Sequence, residues 1–394
     1  MTAISNQIFE AIFWANACLI AYIYVGYPLS LGILARFAPR QATSGSAPDL
    51  AVTLLISAFN ESGVIEEKVK NSLALEYPKD LLDVVVVSDC SDDGTDDIVR
   101  RYERFGIRLV RLDERKGKTT GLNAGVPQAR GQILVFSDAN ALYQPDAIRQ
   151  LVRHFADPRV GYVVGNARYV EKASESSSSE AEGLYWKLET WLKKKESDYY
   201  SVVGGDGAIY AIRRGLYTPL LPTDINDFLN PLQIIDRGFW GIFEPGAISF
   251  EETAESFAKE FRRKVRIISR SLNAVGRVSG ILNPSRQPRH WFLLVSHKLL
   301  RWFAPLFMIG MLMTSLLLWG IPFFRVLTIL QLAFYGLGLI GWILREQRKT
   351  LRMFSLPFYF CLVNAASLIG CVRCIRGDLS GVWTPPRQNV SGKA

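Results

Sequence analysis

Apolar runs occupy both ends of this 394-residue sequence and leave a charged middle between them. From residue 8 to 37 nearly every side chain is apolar, and the run closes on Arg36 and Arg40. About 20 apolar residues cross a bilayer as a helix, so residues 1–40 read as a transmembrane helix. A secretory leader would open on basic residues and end at a small-residue cleavage site; here the start is uncharged and the basic residues follow. Hydrophobicity returns after Arg289. Residues 303–320 and 326–344 read as spans, and 354–375 as a third that either crosses or re-enters. Together they make a C-terminal membrane region over 303–375 with a tail at 376–394. Residues 276–302 end in HWFLLVSHKLLRW, aromatics mixed with cations, the pattern of an interfacial amphipathic segment.

The formal net charge is +9. Nucleic-acid binding is one source of such an excess. Here the cations cluster beside apolar runs, at Arg36 and Arg40, at 289–301 and at 345–352, which fits the positive-inside bias and argues against a nucleic-acid partner. The middle of the chain is therefore expected on the cytoplasmic side, in a bacterial inner membrane. With three spans after it the basic tail would lie outside, which is why re-entry of 354–375 stays open. Cys18, Cys90, Cys361, Cys371 and Cys374 make no disulfide framework, and Cys371-x-x-Cys374 sits in an apolar run without a second ligand pair. Three histidines leave little room for a histidine-rich metal site.

A linker at 41–50 leads into 51–275, where short β-branched runs alternate with amphipathic stretches. Residues 51–57, 83–88, 107–112 and 132–137 read as strands, with helices near 64–75 and from Thr95. Such alternation predicts an α/β domain, a mostly parallel sheet flanked by helices, with ligands at the carboxyl ends of the strands. The regularity breaks at the Ser-rich stretch 173–182, a solvated loop and helix cap or a lid over the site. It precedes Leu184, Leu188, Trp191 and Leu192 on one helical face.

Chemistry-bearing residues gather at the predicted strand ends. The first strand closes on Ser57-Ala58-Phe59-Asn60-Glu61, and the second on Ser88-Asp89-Cys90-Ser91-Asp92-Asp93-Gly94-Thr95. Either could be an ordinary turn and cap. Arg115-Lys116-Gly117-Lys118-Thr119-Thr120 suggests a phosphate loop, but that motif needs glycine where Leu112 stands, so an ATPase is rejected. A cation at a helix start still suits a pyrophosphate. Asp138-Ala139-Asn140 places two oxygen ligands on one side of an extended segment, able to hold a hard divalent cation.

Taken in order, SAFNE, VVVVSDCSDDGT, GKTTGLNAG, FSDAN, GGDGAIYAIRR, INDF and RRKVR resemble family 2 glycosyltransferases of the GT-A fold. The likeness is to the membrane synthases related to hyaluronan, chitin, cellulose and poly-N-acetylglucosamine synthases, and it covers roughly residues 50–275. It implies that Ala58, Glu61 and Asp89 contact the uridine part of a UDP-sugar and Lys118 its diphosphate. Asp138 and Asn140 match the Asp-x-Asp element that holds the nucleotide and its Mg2+ or Mn2+. Asp206 and Gly207 stand where the family lines its acceptor pocket. Asp227 matches the catalytic base, and Arg263 and Arg266 the Arg/Gln-x-x-Arg-Trp element beside the leaving diphosphate. Asn140 replaces a usual aspartate and makes a weaker ligand. Ser88 replaces another, and Ile267 occupies the place of the tryptophan typical of processive synthases.

Inverting sugar transfer needs a base opposite the leaving group and cations on the diphosphate. The expected activity is therefore metal-dependent transfer of a hexose or N-acetylhexosamine from a UDP-sugar to a glycan acceptor, in polysaccharide synthesis. Transfer to a lipid acceptor is the alternative. Arg263, Arg266 and Arg270 share one helical face, with Arg262 and Lys264 expected elsewhere. A transporter is disfavoured by the few spans without charges deep inside them, and a dinucleotide oxidoreductase by the lack of G-x-G-x-x-G after the first strand. Four spans are few for a polymer pore, so self-association or an export partner would be needed for one.

Overall fold

The computed structural model describes residues 3–40, 49–170, 178–252, 257–344 and 351–379. The expected linker at 41–50, the Ser-rich stretch, the basic loop at 345–350 and the tail lie largely outside them. In chain order the described elements begin with helix α1 (Ile4–Phe37), β1 (Val52–Ala58), α2 (Ile65–Leu73), β2 (Leu82–Ser88), α3 (Thr95–Arg100) and β3 (Ile107–Arg111). They continue through α4 (Lys118–Gly125), β4 (Ile133–Asp138), β5 (Leu142–Tyr143), α5 (Ala147–Val152), β6 (Val160–Val170) and α6 (Ser178–Tyr199). After β7 (Tyr210–Arg213), α7 (Asn226–Asp236), β8 (Trp240–Glu252) and α8 (Phe257–Arg277), the chain ends in α9 (Pro288–Leu317), α10 (Pro322–Ile343) and α11 (Arg352–Arg376).

The strands make one sheet in the order β3-β2-β1-β4-β7-β6-β8-β5. Strands β3, β2, β1 and β4 run parallel, their register carrying Ala58 against Ser88 and Ser57 against Asp138. Strands β1 and β4 are apolar and buried along almost their whole length, because helices cover both faces of a parallel sheet. Beyond β4 the sheet turns mixed: β7 is antiparallel to β4 and β6, while β6 runs parallel to β8. The four strands expected from β-branched runs are those of the parallel half. The longer β6 and β8 contain glycines and polar residues and show no such run.

Among the described residues four helices (α1, α9, α10 and α11) are long and apolar enough to cross a membrane. The break expected near residue 302, between an interfacial segment and a span, is absent: Pro288–Leu317 is one helix of 30 residues. Its first half packs on the domain through His290 and Trp302. His290 packs against Tyr200 at 4.6 Å and Trp302 against Phe228 at 5.7 Å between ring centres. Two π-helical turns, Tyr22–Gly26 in α1 and Val295–Leu299 in α9, meet through Tyr22 Oη and Ser296 Oγ at 2.8 Å.

Helix α11 is apolar, yet its contacts keep it near the domain. Phe358 meets Phe257 at the start of α8, and a side chain at Gly370 would collide with Ile268 further along α8. Against α10 it rests on Gly338 and Gly341, where a Cβ on Gly341 would lie 2.3 Å from the Phe354 carbonyl. It also touches Tyr24, Trp302 and Phe334, in the domain-proximal halves of their helices, and Tyr185 of α6. The far end of the bundle is a separate cluster of Phe13, Leu318 and Phe324.

Candidate active site

Strands β1, β2 and β4 end side by side, and the loops leaving them open a cavity of about 1130 Å3 that runs from the sheet to the apolar helices. Asn60 and Cys90, just past β1 and β2, hold left-handed φ angles of 52° and 61°. Non-glycine residues rarely pay that cost except where the fold needs a fixed turn. Ser88 accepts the Ser91 N–H and holds the turn closed.

The Asp89 carboxylate accepts the Lys116 N–H at 2.7 Å and the Gly117 N–H at 2.8 Å. Gly117 sits at φ 91°, a conformation glycine adopts without steric cost, and the chain then enters α4 with Lys118 as its first residue. The residue expected to touch the nucleotide thus also shapes the loop that aims the expected diphosphate cation. Phe59 lines the cavity with the Arg115 guanidinium 3.8 Å over its ring centre. Motif matching did not single out this pair; its signal is a cation and an aromatic at two adjoining strand ends.

Lys118 Nζ reaches Asp138 Oδ1 at 2.5 Å. Burial alone would lower this lysine, but the charges of Asp138, Asp227 and Glu251 outweigh it and its pKa is raised. Below the Asp138–Asn140 turn lies fully buried Lys68, donating to the Ala141 carbonyl with its Nζ 3.8 Å from the Tyr143 ring centre. Burial pushes Lys68 down to about 7. It is a positioning residue for that turn and lies within an amphipathic helix pattern that gave no sign of it.

Helix α7 brings Asp227 to the same place. Its neighbours Asn226 and Asn230 both donate to the Tyr210 hydroxyl, at 2.9 and 3.0 Å, and the Tyr210 ring stacks on Phe136 of β4 at 4.7 Å. The Gly205 N–H donates to the Asp227 carbonyl, an approach that a side chain on Gly205 would block at 2.6 Å. A Cβ on Gly207 would lie 3.3 Å from Asp227 Oδ2, 3.5 Å from Asp138 Oδ2 and 3.7 Å from Lys118 Nζ. Glycine leaves that junction of three charged groups open. Asp227 Oδ1 is buried without a hydrogen-bond partner among the described residues. Burial raises the Asp227 pKa, with Lys118 opposing and Asp206 and Asp138 adding to the rise.

Other charges surround this point. Lys193 of α6 pairs with Asp206 at 3.1 Å. Glu251, near the end of β8, is pushed up to about 8 by burial and by the carboxylates of Asp138 and Asp206. Arg266 is brought down to about 10 by burial and by Arg270 and Arg263, while Asp227 and Asp138 pull the other way; it stays charged at neutral pH. Arg263 is held by Glu260 at 2.6 Å. Lys264, expected on another face, also lines the cavity, because Glu260 one turn earlier draws it inward at 3.2 Å. Ile267 lines it too. Glu251, Glu260 and Lys193 were not singled out from the sequence, since nothing in their local pattern distinguishes them from solvated charges.

All of the sequence-derived positions line this cavity: Ala58, Glu61, Asp89, Lys118, Asp138, Asn140, Asp206, Gly207, Asp227, Arg263 and Arg266. Among the described residues no three His, Cys, Asp or Glu side chains form a cluster able to hold a metal ion alone. Asp138 and Asn140 fit a hard cation that takes its remaining oxygens from a diphosphate. The mutually repelling acids Asp138, Asp206 and Glu251 favour positive charge at that place.

Comparison with known proteins gives one consistent family. Residues 53–218 match the model "Glycosyl transferase family 2". A probable glycosyltransferase of Bacillus subtilis, YdaM, is 29% identical over 55% of this chain and 54% of its own length. The poly-beta-1,6-N-acetyl-D-glucosamine synthase of Staphylococcus aureus is 34% identical over 31% of this chain and 30% of its own. The chain thus spans about half, or less, of the length of the curated relatives it matches. A mannosyltransferase from Pyrobaculum calidifontis, solved with GDP-Man and Mn2+, superposes with a TM-score of 0.71 over 93% of this chain and 99% of that one, at 21% identity. That likeness shows the same fold.

Proposed function

With residues 53–218 belonging to family 2 of the glycosyltransferases, we propose that the chain transfers a hexose or N-acetylhexosamine from a nucleotide-diphosphate sugar, a UDP-sugar, to an acceptor hydroxyl at a membrane, with inversion. The convergence of Asp227, Asp138 and Lys118 around Gly207 carries this reading. In it the acceptor oxygen attacks the anomeric carbon, its proton passes to Asp227, and the bond to the diphosphate breaks with the electron pair leaving on the nucleotide.

Asp227 suits the role because burial and neighbouring acids raise its proton affinity, and one of its oxygens has no hydrogen-bond partner among the described residues. Lys118 and Arg266 offset the charge of the departing diphosphate. Asp138 and Asn140 would hold a Mg2+ or Mn2+ ion, which when bound adds positive charge to the leaving group. Phe59 beneath Arg115 offers a stacking face to the base. In this reading the domain lies on the cytoplasmic face, with α1, α9 and α10 crossing the bilayer, as the cations beside the apolar runs support.

The test is nucleotide release by the purified full-length protein in detergent, from a panel of UDP-sugars with and without Mn2+. GDP-mannose belongs in the panel because the fold neighbour holds it. Release that requires both a sugar donor and a divalent cation is the expected result. No release from any donor, with nucleotide still bound, would overturn the proposal.

A further inference from the structure

The carboxylate of Glu196, near the end of α6, is fully buried and bonded on both sides. Its Oε1 accepts the Tyr27 hydroxyl of α1 at 2.7 Å and lies 2.5 Å from His297 Nδ1 of α9. A carboxylate only accepts, so Nδ1 donates. Its Oε2 accepts the Val203 N–H at 3.2 Å. Tyr27 and His297 are buried with it, and their rings stack 5.9 Å apart. Two apolar helices and the segment after α6 thus close on one side chain.

Val203 opens the segment that carries Gly205, Asp206 and Gly207. Val202, just before it, is tied to β8 through the Gly241 carbonyl, and Gly204 then turns the chain at φ 87°. Helix α6 holds this segment twice, with Glu196 at the Val203 N–H and Lys193 at the Asp206 carboxylate. From there it reaches α7, where the Gly205 N–H meets the Asp227 carbonyl and Gly207 borders the carboxylates of Asp227 and Asp138. The attachment of α9 to α6 is already provided by Glu189, two turns earlier, which takes Arg301 and Lys298. What Glu196 adds is the hold on Val203, and a fully buried carboxylate is a costly group to keep for packing alone.

We infer that Glu196 is a positioning residue for sugar transfer. Held by α1 and α9 through Tyr27 and His297, it fixes the 203–207 segment, and that segment fixes where Asp206, Gly207 and Asp227 stand. Glu196 does not itself line the cavity, so it acts through the backbone it holds. The packing of the apolar helices is thereby tied to the geometry of the reaction centre. This rests on the sugar-transfer reading above and names the side chain through which the apolar helices act on that site.

The test uses the full-length protein in detergent, well below each variant's melting temperature, with two readouts. One is nucleotide release from the best donor of the panel; the other is amide hydrogen exchange in the peptide covering residues 203–207. The amide of Glu196→Gln can accept on one side only, so it loses either the helices or Val203. It should lower kcat about tenfold or more and speed that exchange about tenfold, while the Kd of UDP with Mn2+ stays within about twofold. His297→Leu removes the Nδ1 donor and should do the same, which keeps the test open if Glu196→Gln does not fold. His297→Asn returns an amide N–H near that place and should recover most of both losses. Parent rates in Glu196→Gln and His297→Leu, with only the melting temperature lowered, would show a merely structural role. Loss of UDP binding along with kcat would place the damage in the whole pocket. Equal losses in His297→Asn and His297→Leu would show that Nδ1 donation is not what holds Glu196, and any of these results overturns the inference. The two failures are separable: no release from any donor by the wild-type chain sinks the sugar-transfer reading, whereas unchanged exchange at 203–207 in the variants sinks this inference whether or not release is seen.

Discussion

Asp227 illustrates how a single carboxylate is prepared by its surroundings. Its helix is tied to β7 through Tyr210, its own carbonyl is fixed by Gly205, and one oxygen is left without a hydrogen-bond partner among the described residues. Asp227→Asn keeps that shape but cannot take a proton, so kcat should fall about 10²- to 10⁴-fold with donor KM little changed. Because the buried charge is also removed, the melting temperature should not drop. Single-turnover kinetics beside a thermal melt would check both. Glu251 makes a second prediction. Its folded-state pKa of about 8 lies above the ordinary glutamate value, so the folded chain holds a proton that the unfolded chain has lost. Stability from this group is complete below the unfolded pKa and is lost as pH rises toward 8. The slope is at most about 1.4 kcal/mol per pH unit. Melting curves from pH 5 to 9 should show the decline, and Glu251→Gln should flatten it.

At the scale of elements, glycines set the distances between parts that act together. Gly207 holds open the space where Asp227, Asp138 and Lys118 meet. Gly207→Ala puts a methyl group into that junction, and transfer should fall by more than about tenfold while the domain stays folded, as donor binding and a melt would show. Gly341 does the same for packing, letting α10 rest directly on the backbone of α11. Gly341→Val should force the two helices apart and lower the melting temperature in detergent, at a cost of about 1–3 kcal/mol typical of overpacking. Activity should fall with it, because α11 lines the same cavity as Asp227 and Asp138.

For the whole molecule the decisive feature is that one cavity joins the sheet to the apolar helices. The donor end is shaped by three parallel strand ends and the other end by α6, α8, α9 and α11. Helix α11 lies along α8 and touches the domain-proximal halves of the other apolar helices at Tyr24, Trp302, Gly338 and Gly341. We propose that α11 re-enters rather than crosses, which would keep Arg373 and Arg376 on the side that the positive-inside bias prefers. A protease-cleavable tag after residue 394 should therefore be cut in inverted vesicles and protected in intact cells. The opposite protection pattern would mean that α11 crosses.

The sequence by itself determined what depends on near neighbours in the chain. Runs of apolar residues marked the membrane helices and the parallel strands, and the ordered motifs at strand ends marked Asp89, Lys118, Asp138 and Asp227, because a sheet of this kind delivers its strand ends to one place. Tertiary structure alone decided what depends on distant segments meeting. The roles of Glu251, Lys193 and Lys68 follow from burial against partners far away in sequence, and a lone charged residue looks the same whether it will be solvated or enclosed. The inward turn of Lys264, the unbroken helix from Pro288 to Leu317 and the course of α11 have the same cause: each is set by the partner that covers it, not by its own residues.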